Sequence, residues 1–266
     1  MRCAVLGDPI GHSLSPVLHR AGYAAVGLDW EYDAHRVPAG GLATFVSGLD
    51  TSWRGLSLTM PLKREALSVA REVSRTAAMA GAANTLILAD GSVHADNTDV
   101  PGAVAAIRER YDEPVVAATI LGGGATAAST ALALCELGAH SITLLVRSPD
   151  RAVDTLAAID AHPARPAVSI GSLARDPVVG DLVVSTIPAA AQDDSVVQRC
   201  REVPVVFDVL YDPWPTPLAA SAGDRPLIGG LDLLLHQATL QFEMFTGVPA
   251  PVEAMRAAGE EALGAG

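Results

Sequence analysis

The chain has almost no lysine: one, Lys63, against 17 arginines in 266 residues. Guanidinium stays charged at any accessible pH, whereas an ammonium gives up or takes a proton when its surroundings tune it. In a chain that uses arginine for its plain surface cations, a single lysine marks a candidate position for proton chemistry; the competing assignment is a residual lysine on a solvated face. Basic clusters are also missing. The net charge is −12, which argues against nucleic acid and anionic membrane surfaces as partners. Cysteine is scarce: Cys3, Cys135 and Cys200 are odd in number and scattered, which fits a reducing compartment and neither a disulfide framework nor a zinc site. The seven histidines show no metal-ligand spacing, so no metal is expected. Half the residues are apolar, but no run approaches the ~20 needed to span a bilayer, and the start reads as a strand, Cys3 to Leu6, without a cationic signal region. These absences predict a soluble cytoplasmic protein, long enough for two modest domains.

What is present is an alternation of strand-like and helix-like segments. From Val115 onward, residues 115–121 (VVAATIL) read as a strand, 125–138 as a helix closed by Gly138, and 141–147 as the next strand. A helix near 150–161 and strands near 167–170, 181–186 and 204–208 continue the pattern, which is that of a doubly wound parallel sheet. The first hundred residues mix elements less regularly. Strand 2–6 leads into a helix that Ser15 can cap, with Pro16 suited to its first position and Gly27 to its end. Strands near 30–36, 54–58, 84–90 and 92–96 and helices near 39–48 and 61–73 follow. An apolar helix from about Leu231 to Phe245, stopped by Gly247 and Pro249, and a short helix from about Val252 to Leu263 close the chain. That tail carries no further strand–helix alternation and is expected to pack back on the first domain. The fold class predicted is α/β with two domains: an N-terminal α/β substrate domain, residues 1–100 plus 232–266, and a Rossmann-type doubly wound parallel-sheet domain for NADP, residues 101–231.

Directly after strand 115–121 comes Gly122-Gly123-Gly124-Ala125-Thr126, opening into a helix. Glycines there allow a tight turn and bring backbone N–H groups against a pyrophosphate, and the positive helix end supports the anion. Glycine-rich turns of this kind also occur for packing reasons, but the placement inside a βαβ unit of about 30 residues favours a dinucleotide. At the end of the next strand, where an NAD-specific fold commonly places Asp or Glu, this chain has Val146-Arg147-Ser148. Arginine cannot accept a hydroxyl proton, but it pairs bidentately with a 2′-phosphate. NADP is therefore the expected cofactor, with Arg147 and Ser148 at the phosphate and Arg151 a second candidate.

Three further segments are rich in small polar groups: GDPIGHSLSP (7–16), GLSLTMPLK (55–63), and GAANT with DNTDVPG (81–85 and 96–102). The hydroxyls of Ser13, Ser15 and Thr59, the amides of Asn84 and Asn97, and the carboxylates of Asp96 and Asp99 suit a polyhydroxylated, carboxylate-bearing small molecule. Each also has a structural reading, as helix cap, turn residue or helix-start acid.

Taken together, and in order along the whole chain, these segments resemble those of the shikimate dehydrogenase family. GDPIGHSLSPVLH is similar to its opening signature, and LTMPLK to its Thr-x-Pro-x-Lys segment. GAANT and DNTDVPG are similar to its Asn and Asp motifs, and DVLYDPWPTPL and GGLDLLLHQA to its late signatures. The resemblance implies that Ser13 and Ser15 hold the substrate carboxylate with Tyr211 near it. It implies Thr59 in the pocket, Asn84 and Asp99 at the ring hydroxyls with Gln237 also at the substrate hydroxyls, and Lys63 as catalytic acid and base with Asp99 beside it. Ser57 stands where many members have asparagine, and Leu233 where methionine is common. The reaction implied is the reversible reduction of 3-dehydroshikimate to shikimate with NADPH, in a monomer or homodimer. A relative acting on quinate or an amino analogue is the near alternative. A non-catalytic ligand-binding homologue is the alternative of another class, against which Lys63 and Asp99 both speak.

Overall fold

The computed structural model describes residues 1–89 and 91–264. Residue 90, the last of the expected strand 84–90, and residues 265–266, the end of the expected 232–266 segment, lie outside the described residues. The chain divides into two compact units, Met1–Thr98 with Leu234–Gly266, and Asp99–Leu233.

The first unit runs β1 (Arg2–Gly7), α1 (Ser15–Ala25), β2 (Glu31–Arg36), α2 (Leu42–Ser47), β3 (Trp53–Leu58), α3 (Ala66–Val69), β4 (Glu72–Val73), α4 (Arg75–Ala80), β5 (Thr85–Ala89) and β6 (Ser92–Asp96). Its sheet has the order β2-β1-β3-β5-β6-β4. The pairs β1–β2, β1–β3 and β4–β6 are parallel, and β3–β5 and β5–β6 are antiparallel. Strand β1 explains its own apolar run. Cys3 and Val5 pack with Leu18, Tyr23 and Phe242 on one face, whereas Ala4 and Leu6 pack with Leu42, Leu56 and Leu62 on the other. A strand covered on both faces has no polar side to alternate with.

Helix α1 ends as Gly27 leads one to expect. Gly27 takes φ +71, its N–H bonds the Ala24 carbonyl at 3.2 Å, and the Leu28 N–H bonds the Tyr23 carbonyl at 2.9 Å, the paired arrangement that satisfies last-turn carbonyls. Its start differs from expectation. Ser15 is the first helical residue, and Leu14 holds the cap position without a side-chain cap bond of its own. The expected helix 61–73 is also broken. Only α3 is helical; Ala70 turns extended, and the Arg71 and Ser74 N–H groups bond the Val93 and Ala95 carbonyls at 2.8 and 2.9 Å. Pairing with β6 takes the segment out of the helix as β4. Ser74 then starts α4, which the sequence reading did not anticipate, accepting the Ala77 N–H at 3.1 Å.

The second unit runs α5 (Asp99–Arg110), β7 (Ala117–Leu121), α6 (Ala125–Glu136), β8 (Ser141–Val146), a 3-10 turn (Pro149–Ala152), α7 (Val153–Ala161), β9 (Ala167–Ser172), β10 (Leu182–Ser185), α8 (Asp194–Arg199), β11 (Val205–Asp208), α9 (Pro217–Ala220) and β12 (Leu227–Ile228). The sheet order is β12-β11-β10-β7-β8-β9, and every pairing is parallel. This is the expected doubly wound sheet. Strand order reverses next to β7, and such folds bind ligands at the carboxyl ends of the strands flanking that point, here β7 and β10. The last helices are α10 (Gly230–Thr246) and α11 (Val252–Gly264). From Leu234 onward they belong to the first unit, with Phe242, Phe245 and Met255 packed against Leu18 and Tyr23. No helix of the described residues is long and apolar enough to cross a membrane, and among those residues no group of three His, Cys, Asp or Glu could hold a metal.

Candidate active site

Strand β3 delivers Thr59 to the end of the first unit's sheet. The Thr59 N–H bonds the Leu6 carbonyl at 2.9 Å, and its own carbonyl accepts the Leu62 N–H at 2.9 Å. The Met60–Pro61 peptide within this turn is cis. Leu62 is wholly buried, and the Ala83 N–H bonds the Lys63 carbonyl at 2.7 Å. The half-buried Lys63 therefore rises from a backbone pinned on both sides, with Asn84 one residue beyond its tether.

Asn84 is buried, and both ends of its amide are hydrogen-bonded. Its Nδ2 donates to Thr98 Oγ1 at 2.9 Å and to Gln237 Oε1 at 3.1 Å. Its Oδ1 accepts the Thr98 N–H at 2.8 Å and the Thr85 hydroxyl at 2.9 Å. Gln237 comes from α10, and its Nε2 donates to the Leu234 carbonyl at 2.8 Å. Ser13 and Ser15 adjoin at the start of α1, where Ser13 Oγ accepts the Ser15 N–H at 3.3 Å; Ser15 is buried and Ser13 half-buried. Asp96 and Asn97, counted from the sequence among the polar groups that suit such a molecule, brace turns. Asp96 Oδ1 accepts the Ser74 hydroxyl at 2.6 Å and the Asn97 N–H at 2.7 Å, and Asn97 Nδ2 donates to the Ala82 carbonyl at 2.9 Å. The residue missed from sequence is Thr98, wholly buried and the main partner of Asn84; its only signal was its place inside DNTDVPG.

Asp99 and Tyr211 belong to the second unit. Asp99 is buried, opens α5 and directly follows Thr98 in the chain. Tyr211 is half-buried just beyond β11. The approach to it is held by Asp208, wholly buried at the end of β11. Asp208 accepts the Thr216 hydroxyl at 2.6 Å, Gln192 Nε2 at 2.8 Å and the Leu210 N–H at 3.2 Å. Burial pushes this carboxyl up from the usual range, against the three hydrogen bonds that pull it down.

The glycine loop leaves β7 at the point where strand order reverses. Gly122 takes φ +114, and a Cβ there would lie 2.3 Å from Thr186 Oγ1; a Cβ on Gly123 would lie 2.1 Å from the Arg151 carbonyl oxygen. Gly124 caps α6 without any side-chain bond to the first-turn N–H groups, which leaves those of Ala125 and Thr126 for an anion at a positive helix end. Thr186, whose hydroxyl bonds the Leu121 carbonyl at 2.9 Å, is a second residue that sequence reading missed. Arg147 and Ser148 are both exposed just past β8, and no carboxylate comes before Asp150 in the following turn. A backbone cradle that a Cβ would fill, with an exposed guanidinium where an NAD fold keeps an acid, fits NADP.

Residues 5–86 match the family model described as the shikimate dehydrogenase substrate binding domain, and residues 230–258 match the shikimate 5′-dehydrogenase C-terminal domain. A curated relative from Caulobacter vibrioides, shikimate dehydrogenase (NADP(+)), is 37% identical over 98% of this chain and 95% of its own length. The chain belongs to the shikimate dehydrogenase family. Among solved structures, the shikimate dehydrogenase of Mycobacterium tuberculosis is 39% identical with a TM-score of 0.88, covering 98% of this chain and 99% of that one. The shikimate 5-dehydrogenase of Thermus thermophilus, solved in complex with NADP(H) and shikimate, is 29% identical with a TM-score of 0.82, covering 98% and 99%.

Proposed function

We propose that this chain is an NADP-dependent oxidoreductase that reduces 3-dehydroshikimate to shikimate, reversibly, in aromatic amino acid biosynthesis. The observation that carries the reading is similarity from end to end: relatives named shikimate dehydrogenase (NADP(+)) align with 98% of the chain. NADPH, when bound, supplies a hydride from nicotinamide C4 to the ring carbonyl carbon. As charge develops on the carbonyl oxygen, the Lys63 ammonium gives it a proton, and in the reverse direction the neutral amine takes the proton back from the alcohol. Asp99 holds Lys63 in register. Ser13, Ser15 and Tyr211 take the substrate carboxylate; Thr59, Asn84 and Gln237 take the ring hydroxyls. Gly122 to Thr126 receive the pyrophosphate, and Arg147 with Ser148 the 2′-phosphate. In this reading the substrate domain spans 1–100 plus 232–266 and the dinucleotide domain 101–231, in a cytoplasmic monomer or homodimer.

Offering shikimate and quinate with NADP and NAD, in all four pairings, and following nicotinamide absorbance tests the reading. The highest kcat/KM is expected for shikimate with NADP. A preference for quinate, or binding without turnover, overturns it; equal kcat/KM with the two cofactors removes the role of Arg147.

A further inference from the structure

Beneath the residues assigned to the substrate, the first unit contains a directed chain of buried hydrogen bonds. Tyr32 on β2 donates its hydroxyl proton to Ser57 Oγ on β3 at 2.5 Å. Ser57 donates to Gln241 Oε1 on α10 at 2.7 Å. Gln241 Nε2 donates to the Asn84 carbonyl at 3.0 Å and to Thr85 Oγ1 at 2.9 Å. The Thr85 hydroxyl donates to Asn84 Oδ1, and Asn84 Nδ2 to Gln237 Oε1. At the other end, the Ser15 side chain lies beside the Tyr32 hydroxyl. The His19 ring stacks on that of Tyr32 at 4.1 Å.

Burying this many polar groups is costly unless each is paired, and apolar side chains would fill the same space at lower cost. The neighbouring cluster of Leu18, Leu235, Phe242 and Phe245 does so. What the polar chain adds is direction. It links elements distant in sequence that meet only in the folded state, and it runs from the serine at the start of α1 to the asparagine before β5. Tyr32, Ser57 and Gln241 are 0%, 4% and 1% exposed, and their polar groups are spent on one another and on the backbone before β5.

We propose that Tyr32, Ser57 and Gln241 are positioning residues that hold Ser15 and Asn84 at one fixed separation, so that the carboxylate end and the hydroxyl end of the substrate are gripped together. The inference rests on the assignment of Ser15 and Asn84 to substrate. Breaking the chain anywhere loosens one grip relative to the other, a loss in substrate binding with the cofactor side untouched.

Initial rates of Tyr32→Phe, Gln241→Met and the double variant, with shikimate and NADP varied separately, test it. Each single change is expected to raise KM for shikimate about tenfold, the scale of one lost buried hydrogen bond, with KM for NADP and kcat within about twofold. The double variant should resemble the singles, because one break already uncouples the chain. Ser57→Thr, which keeps a hydroxyl, should retain the parent KM where Ser57→Ala loses it. Additive effects, parallel rises in both KM values, or an unchanged KM for shikimate in Tyr32→Phe would overturn the proposal. The unaltered protein separates the two readings in the same assay. If it does not turn over shikimate, the proposed reaction fails; if it does and the variants match it, only the positioning role fails.

Discussion

Because the Lys63 backbone is pinned by buried Leu62 and by the bond from Ala83, changing its side chain leaves the turn in place and isolates the amine. Lys63→Ala and Lys63→Arg should both lower kcat by about 10²–10⁴-fold while moving KM for shikimate far less, since a guanidinium keeps the charge but cannot exchange the proton. Turnover near normal in either variant, measured by initial rates, excludes Lys63 from the chemistry. Lys63 was legible in the sequence because it is the only primary amine on a side chain. Thr98 was not, because a threonine among AAN and DNTD motifs carries no sign that its N–H and hydroxyl both bind one distant amide.

At the scale of the element, the glycine loop makes a graded prediction. Gly123 has its Cβ position 2.1 Å from the Arg151 carbonyl oxygen, whereas at Gly124 the space is open. Gly123→Ala should therefore push the loop away from the turn after β8 and raise KM for NADP tenfold or more, on the order of 1–3 kcal/mol of strain or lost contact, with KM for shikimate unchanged. Gly124→Ala, whose Cβ meets no protein atom, should leave the loop and the turn after β8 in place. Equal effects of the two substitutions would show that close approach is not why Gly123 is glycine. Strands β7, β8 and β10 to β11 were legible because parallel strands buried on both faces read as unbroken apolar runs. The broken helix after Lys63 was not, because its residues 66–69 do form a helical turn. Whether that turn continues is settled by backbone partners on β6, which have no counterpart in local composition.

For the whole molecule, acid stability follows from His19, which burial pushes down to about 3 from 6.5. Between those limits the unfolded chain binds a proton that the folded chain refuses, so stability falls as pH drops, at up to about 1.4 kcal/mol per pH unit from this group. Asp208, with its carboxyl raised, works in the opposite direction, so the comparison must be made within a pair. His19→Phe should flatten the dependence of the urea midpoint on pH between about 6.5 and 4 relative to the parent; parallel curves would mean that His19 is charged or solvated when folded. The sequence by itself determined the α/β class, the dinucleotide fold, the arginine in place of an acid after β8, and the lone amine, because each is written in a local period or a local motif. Only the tertiary structure decided which polar groups meet. Tyr32 lies 25 residues from Ser57, and Ser57 lies 184 residues from Gln241. Those contacts exist because β1 sits between β2 and β3, and because the chain returns through α10 to cover them. Hydrogen bonds between such distant residues follow from strand order and register, for which no stretch of neighbouring residues carries a pattern.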